Sequence, residues 1–192
     1  MGFLSQQGSE AIQSGGQGGY LSESKLADGG QMRFALVTPL PLEYFTIWGE
    51  MDGQKKPFRF PDVPSPADIE IELGDFKVLE KRDGSGLEQP KFAIAVFVFD
   101  YETESIKVLE LTQRGLIKEL DQISQEEDYS DLTEWDFTIN RTGVGLKTEY
   151  NLRPAPRKKG FDEKIAEAWS AAKEDGYDLT RLIGGGNPFS AA

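Results

Sequence analysis

Apolar residues recur at every second position in several short runs, the period of strands half-buried against a core. Met32-Arg33-Phe34-Ala35-Leu36-Val37 is one such run, and Thr38-Pro39-Leu40-Pro41 interrupts it. Tyr44-Phe45-Thr46-Ile47-Trp48 is the next. It puts Phe45 and Ile47 on one face and Tyr44, Thr46 and Trp48 on the other, with Thr46 marking the second face as the wetter. Gly49 to Pro66 reads as loop, because Asp52-Gly53 is a turn signal and four prolines break regular ladders. Ile69 to Leu73 alternates like a half-exposed strand, continued by Asp75 to Glu80 after Gly74, with Asp83 to Gly86 as a hairpin tip or flexible loop.

Phe92 to Phe99 is almost continuously apolar and predicts a central strand buried on both sides. Ile106 to Leu111 alternates and should pair with it. Thr112 can cap a helix to about Ile123, with Leu116, Ile117, Leu120 and Ile123 on one face. Trp135 to Asn140 is a strand with apolar odd positions, and Leu146 to Leu152 is the last, ended by Pro154 and Pro156. Residues 161–174 space Phe161, Ile165, Ala168, Trp169 and Ala172 for a docking helix. Together these elements predict a mainly β chain, an OB-fold-like, partly open antiparallel barrel with an inserted helix and a C-terminal helix. Residues 1–30 read as a flexible, Gly-rich arm with a short amphipathic piece around Leu4 to Ile12, 31–156 as the barrel, and 157–192 as the C-terminal helix and a mobile tail.

Composition narrows the chemistry. The 192 residues include no Cys and no His. Disulfides, Cys/His zinc sites and Ser-His-Asp or Cys-His nucleophiles are therefore excluded, and the expectation is a non-enzymatic binding protein without a cofactor. A metal-dependent enzyme built on carboxylates alone is a distant third reading. No run of eighteen apolar residues suggests a membrane span, and the first residues lack a secretory pattern. The expected compartment is the cytoplasm, that of the host if the chain is phage-encoded. The acidic run Glu126 to Asp131 lacks the spacing and central glycine of a calcium loop, so no metal is expected. Gly143-Val144-Gly145-Leu146-Lys147-Thr148 lacks the P-loop spacing and reads as a hairpin turn.

The formal net charge of −12 argues against nucleic acid, since phosphate binding is driven by cations. Its distribution reopens the case. Residues 121–136 hold seven acids and no base, whereas residues 140–160 hold six bases against Glu149 alone. Lys55, Lys56 and Arg59 interleave with Phe58 and Phe60. Sequence-tolerant binding of a single strand needs cations along the backbone and flat rings on which bases stack, and this interleaving supplies both. The alternative is a β-barrel protein-interaction or virion module that does not bind DNA, in which Arg141 and Lys147 pair with the acidic run 121–136.

Tyr44 to Phe60, Phe92 to Ile123 and Trp135 to Pro154 together resemble the single-stranded DNA-binding proteins of tailed phages. The most specific element is the run Arg141-Thr142-Gly143-Val144-Gly145-Leu146-Lys147-Thr148-Glu149-Tyr150. The resemblance covers about residues 33–154 and implies an OB-fold whose groove holds the strand, in replication, recombination or repair. Trp48, Lys55, Lys56, Arg59 and Phe60 would lie at one groove wall and Arg141, Lys147 and Tyr150 at another, with Tyr44 and Phe99 as further stacking platforms. The chain departs from the pattern in three respects. It lacks the Cys/His zinc module of some members. Residues 1–30 carry Lys25 as their one base, where the family's cooperativity segment tends to be basic. Pro188-Phe189 echoes the acidic Pro-Phe tips through which related proteins recruit replication or recombination partners, yet residues 161–192 hold six acids against three bases.

Overall fold

In the computed structural model, residues 19–190 apart from Arg82 are described. The expected amphipathic piece at Leu4 to Ile12 and most of the N-terminal arm lie outside the described residues. Among the described residues, nine strands form one mixed sheet: β1 Tyr20–Leu21, β2 Gln31–Leu36, β3 Leu42–Met51, β4 Gln54–Phe60, β5 Lys77–Val78, β6 Lys91–Asp100, β7 Ser105–Leu111, β8 Trp135–Thr142 and β9 Glu149–Pro156. Three helices accompany them, α1 Pro66–Leu73, α2 Arg114–Ser124 and α3 Asp162–Glu174. No helix among the described residues is long and apolar enough to cross a membrane.

β2 and β3 act as one long bent strand. Both run antiparallel to the same edge of β6, with Leu36 opposite Val98 and Leu42 opposite Ala95. Five residues, 37–41, therefore face two on β6, and the Pro-rich interruption is a bulge within a continuous strand. Before the bulge the strand pairs with β8 on its other side and after it with β4, while β5 joins its end on the β6 side. The remaining path is the β6–β7 hairpin, then α2, then the β8–β9 hairpin. The order β7-β6-β2-β8-β9 is that of an OB barrel left open between β7 and β9. Helix α2 fills the gap: Leu116, Leu120 and Ile123 enter the interior, and Glu119 accepts a 2.6 Å hydrogen bond from the free-edge amide of Leu152.

The barrel interior is built from the inward positions of β2, β6, β7, β8 and β9, including Phe34, Ile94, Val96, Val98, Leu109, Leu111, Phe137 and Ile139. A second core lies on the outside of β6 and β7 beneath α3, and a third lies between the β3–β4 hairpin and α1.

Several expectations are corrected. The stretch 49–60 is no loop. β3 runs on to Met51, turns through Asp52-Gly53 with both residues at positive φ, and returns as β4. Pro57 is tolerated because β4 pairs with β3 alone, so its missing N–H lies on a free edge. The same reason lets β9 run through Pro154 to Pro156. Ile69 to Leu73 is helical. Ser65 and Asp68 form a capping box and Pro66 sits in the first turn. Ile69 and Leu73, four apart, pack inward, while Ile71 between them is 81% exposed. Thr112 does not cap α2, whose N-cap is Gln113. The segment expected to open the last strand is a short helical turn at Gly145–Lys147.

Candidate nucleic-acid interface

OB barrels commonly hold oligonucleotides on the outer face of their second and third strands, between the loops that follow the first and fourth. In this chain those strands are β6 and β7, and their apolar outward residues are Ala93, Ala95, Phe97, Phe99, Ile106 and Val108. All are buried. Helix α3 and the segment after it lie across them. Phe97 packs on Trp169 and Tyr177 at ring separations of 5.3 and 5.6 Å, and Phe99 on Tyr101 and Phe161 at 5.4 and 6.2 Å. Phe99 therefore has no free face to offer a base, and its expected stacking role is corrected to a core role. The tail expected to be mobile is folded onto the same face. The Asp178 amide donates to the Pro188 carbonyl at 2.8 Å, and Phe189 packs edge-on against Tyr177 and Tyr20. Phe189 is thus engaged within the chain.

Tyr44, Arg59 and Phe60 also turn inward. The face of β3 expected to be wetter is buried at Tyr44 and Thr46 and opens only at Trp48. Tyr44 is 0% exposed, and its hydroxyl donates to Glu110 of β7. Arg59 grips the same carboxylate with contacts of 2.8 to 3.1 Å and lies over the Tyr44 ring. Burial and the Glu110 charge push the Tyr44 hydroxyl well above the ordinary tyrosine range. Arg59 is thus committed to Glu110. Phe60 lies opposite Phe45 and joins Ile47 and Phe76 in the core under α1. None of the three presents a free ring or a free cation.

Trp48, Lys55 and Lys56 do reach solvent. Trp48 is 46% exposed. It shares a face of the hairpin with Lys55, since Trp48 lies opposite Pro57 and Glu50 opposite Lys55. Lys56, on the other face, holds its ammonium 5.5 Å from the Phe58 ring. Neither lysine forms an ion pair among the described residues. The hairpin is braced from behind by Phe76, which lies so close to Gly49 that a Cβ there would come within 1.9 Å of the ring.

Lys147 is exposed on the β8–β9 loop, beside the exposed Val144 and Leu146. Gly143 makes that loop possible, because its φ is +81° and a Cβ would meet the Lys147 carbonyl oxygen at 2.1 Å. Arg141 instead donates to the carbonyls of Leu26 and Ser24, tying the N-terminal segment to β8. Tyr150, opposite Arg141, packs half-buried against the barrel interior. The hairpin residues and the loop residues occupy opposite ends of the long β2–β3 strand, so the ten expected residues form no single cluster.

Searches of protein-family models, curated proteins and solved structures find no match to this chain.

One cationic surface escaped the sequence reading. It is the outward face of β2, β8 and β9, where residues line up in rows across three strands: Ala35-Asp136-Ala155, Arg33-Thr138-Arg153 and Gln31-Asn140-Asn151. Asp136 is fully buried and organises its neighbours. It accepts from Arg33 at 2.7 Å, from the Tyr101 hydroxyl at 2.7 Å and from the Lys158 amide at 3.0 Å, with Arg157 at 3.4 Å. Burial and the bond to Asp136 raise the Tyr101 hydroxyl above its ordinary value. The outward placement of Thr138 and Asn140 was readable from the apolar odd positions of β8. The adjacency of Arg33 and Arg153 was not, because it depends on strand order.

Proposed function

We propose that the chain is a sequence-tolerant single-stranded DNA-binding protein, non-enzymatic, acting in phage DNA replication, recombination or repair. The observation that carries this reading is the exposed indole of Trp48 beside Lys55 on a braced hairpin that follows the first barrel strand. An OB barrel uses that position as one wall of its groove. A half-exposed indole next to the unpaired ammonium of Lys55 combines a stacking face with a backbone cation, the two requirements for binding without base readout. On this reading Lys147 of the β8–β9 loop would belong to the other wall. The acidic remainder of the surface repels rigid duplex and makes binding strongly salt-dependent.

Titrating tryptophan fluorescence with oligo-dT at two salt concentrations tests the reading, and a Trp48→Phe variant assigns the signal among the three tryptophans. Quenching that weakens sharply with salt, and weaker binding of duplex, is the expected result. Affinity indifferent to salt, or equal affinity for duplex, contradicts it. A protein-interaction module is the second reading, favoured by the closure of the β6–β7 face by the chain's own C-terminal segment. Absence of any gel retardation of oligo-dT would favour it.

A further inference from the structure

We infer that the outward face of β2, β8 and β9 is a second contact surface for the single strand, a track for its phosphates that replaces the covered β6–β7 face. The inference rests on the single-stranded DNA reading above and says where on the barrel the strand runs.

The cover formed by the C-terminal segment stops at the row Ala35-Asp136-Ala155, whose first two residues are fully buried. The next two rows reach solvent. In the first, Arg33 and Arg153 flank Thr138 from strands on either side of it, about 9.6 Å apart at the backbone. Lys158 adds a third cation, its ammonium 5.3 Å from the Tyr101 ring. The carboxylate at the centre of the group, Asp136, lies beneath them with no exposed surface, and the exposed Glu149 stands two rows further along the face, beyond Asn151. Two arginines share it, so the exposed side of the cluster is positive. Arg153 and Lys158 have no acid partner among the described residues.

The cluster is also held in place. The Arg33 guanidinium is fixed by Asp136 and by the Pro156 carbonyl at 2.9 Å, and it lies 5.5 Å from the Tyr101 ring. A guanidinium oriented in advance loses little freedom when it meets a phosphate. Beyond the arginine row, Asn140 donates to Asn151 at 3.2 Å. A cavity of about 420 Å³ opens at this end of the face, lined by Asn140, Asn151, Arg141 and Arg153 and also by the acidic Glu149. Neutral amides beside fixed cations suit a polyanion whose bases are bonded without being read. A flexible single strand can follow the narrow strip, whereas duplex would bring more phosphate against the acidic surroundings.

The double variant R153A/K158A tests the track. Both side chains are exposed, and the Lys158 backbone amide that serves Asp136 is untouched. The exposed Lys173 of α3, outside the strip, supplies the control K173A. Oligo-dT affinity is measured by fluorescence over a series of salt concentrations. Loss of two phosphate contacts should make the slope of log affinity against log salt shallower by about 1.4 and weaken low-salt binding roughly tenfold, with K173A unchanged. Bound oligo-dT should also protect Lys158 from acetylation. If the wild type binds and the double variant keeps its slope and affinity, the track is overturned while the functional reading stands. If the wild type binds no oligo-dT at low salt, both fall. If the double variant instead loses a low-salt self-association and keeps its DNA affinity, the strip serves the acidic loop of a second copy and the track is overturned.

Discussion

Two outward faces of the same barrel have opposite fates. The face of β6 and β7 carries Ala93, Ala95, Phe97, Phe99, Ile106 and Val108, and the chain's own C-terminal segment covers it. The face of β2, β8 and β9 carries Gln31, Arg33, Thr138, Asn140, Asn151 and Arg153, and it stays open past the Asp136 row. A sheet has two sides wherever it lies, and the side chains decide what each accepts. Apolar outward positions on β6 gave that strand its continuous hydrophobic run, so it needed a helix on the outside as well as a core within. Polar alternation on β8 and β9 left nothing for a helix to bury. The face proposed for the single strand is therefore the part that the chain's own helix could not use.

The largest effect expected from this contrast is on stability. Phe99→Ala should lower unfolding stability by about 3–5 kcal/mol, because it empties a packed site between Tyr101 and Phe161. Urea unfolding measures it. A near-neutral variant with weakened DNA binding would show that the ring is a stacking platform and break the contrast.

The next effect concerns Asp100, buried with Lys107 at 2.8 Å where β6 ends. Burial pushes its carboxyl up, but the bonds from Lys107 and Thr103 outweigh that and hold it below the ordinary aspartate value. A depressed carboxylate stabilises the fold above its unfolded pKa, and that contribution is lost as pH falls through the folded value. Stability should thus decline below about pH 4. Asp100→Asn should remove that part of the acid dependence and cost about 3 kcal/mol at neutral pH by stranding Lys107. Urea titrations at several pH values check both. An unchanged acid limb would contradict the assignment.

A smaller effect belongs to the open surface. Trp48→Ala should weaken oligo-dT binding by about 1–3 kcal/mol, the worth of one stacked base, and change stability by less than about 0.5 kcal/mol. A large stability loss with unchanged affinity would move Trp48 to the core.

Much of the barrel was legible from local pattern. The buried run Phe92 to Phe99, the alternation of β7 and β8 and the docking stripe of α3 all follow from side-chain period, which each segment carries by itself. The misreadings came where a local signal had two meanings. Ile69, Ile71 and Leu73 fit period two, yet Ile69 and Leu73 also fit one helix face, and the Ser65–Asp68 cap selected the helix. Pro57, Pro154 and Pro156 break central strands, but β4 and β9 are edges, and edge status depends on strand order.

The site was less legible for a related reason. Trp48, Lys55, Lys56 and Lys147 kept the exposure expected of them, whereas Tyr44, Arg59, Phe60 and Phe99 are the same residue types taken up in contacts within the chain. Glu110, fifty-one residues from Arg59, decides the fate of Tyr44 and Arg59. Arg33 and Arg153 meet only through β8. Contacts of that separation follow from register, which local alternation does not encode.

The most direct measurement is ultraviolet cross-linking of the protein to oligo-dT, with the modified peptides mapped by mass spectrometry. Cross-links should fall on the hairpin peptide that contains Trp48 and on the β8–β9 peptides around Tyr150, and Phe97 and Phe99 should remain unmodified. Cross-links concentrated on Phe97 and Phe99, or none at low salt, would contradict the account.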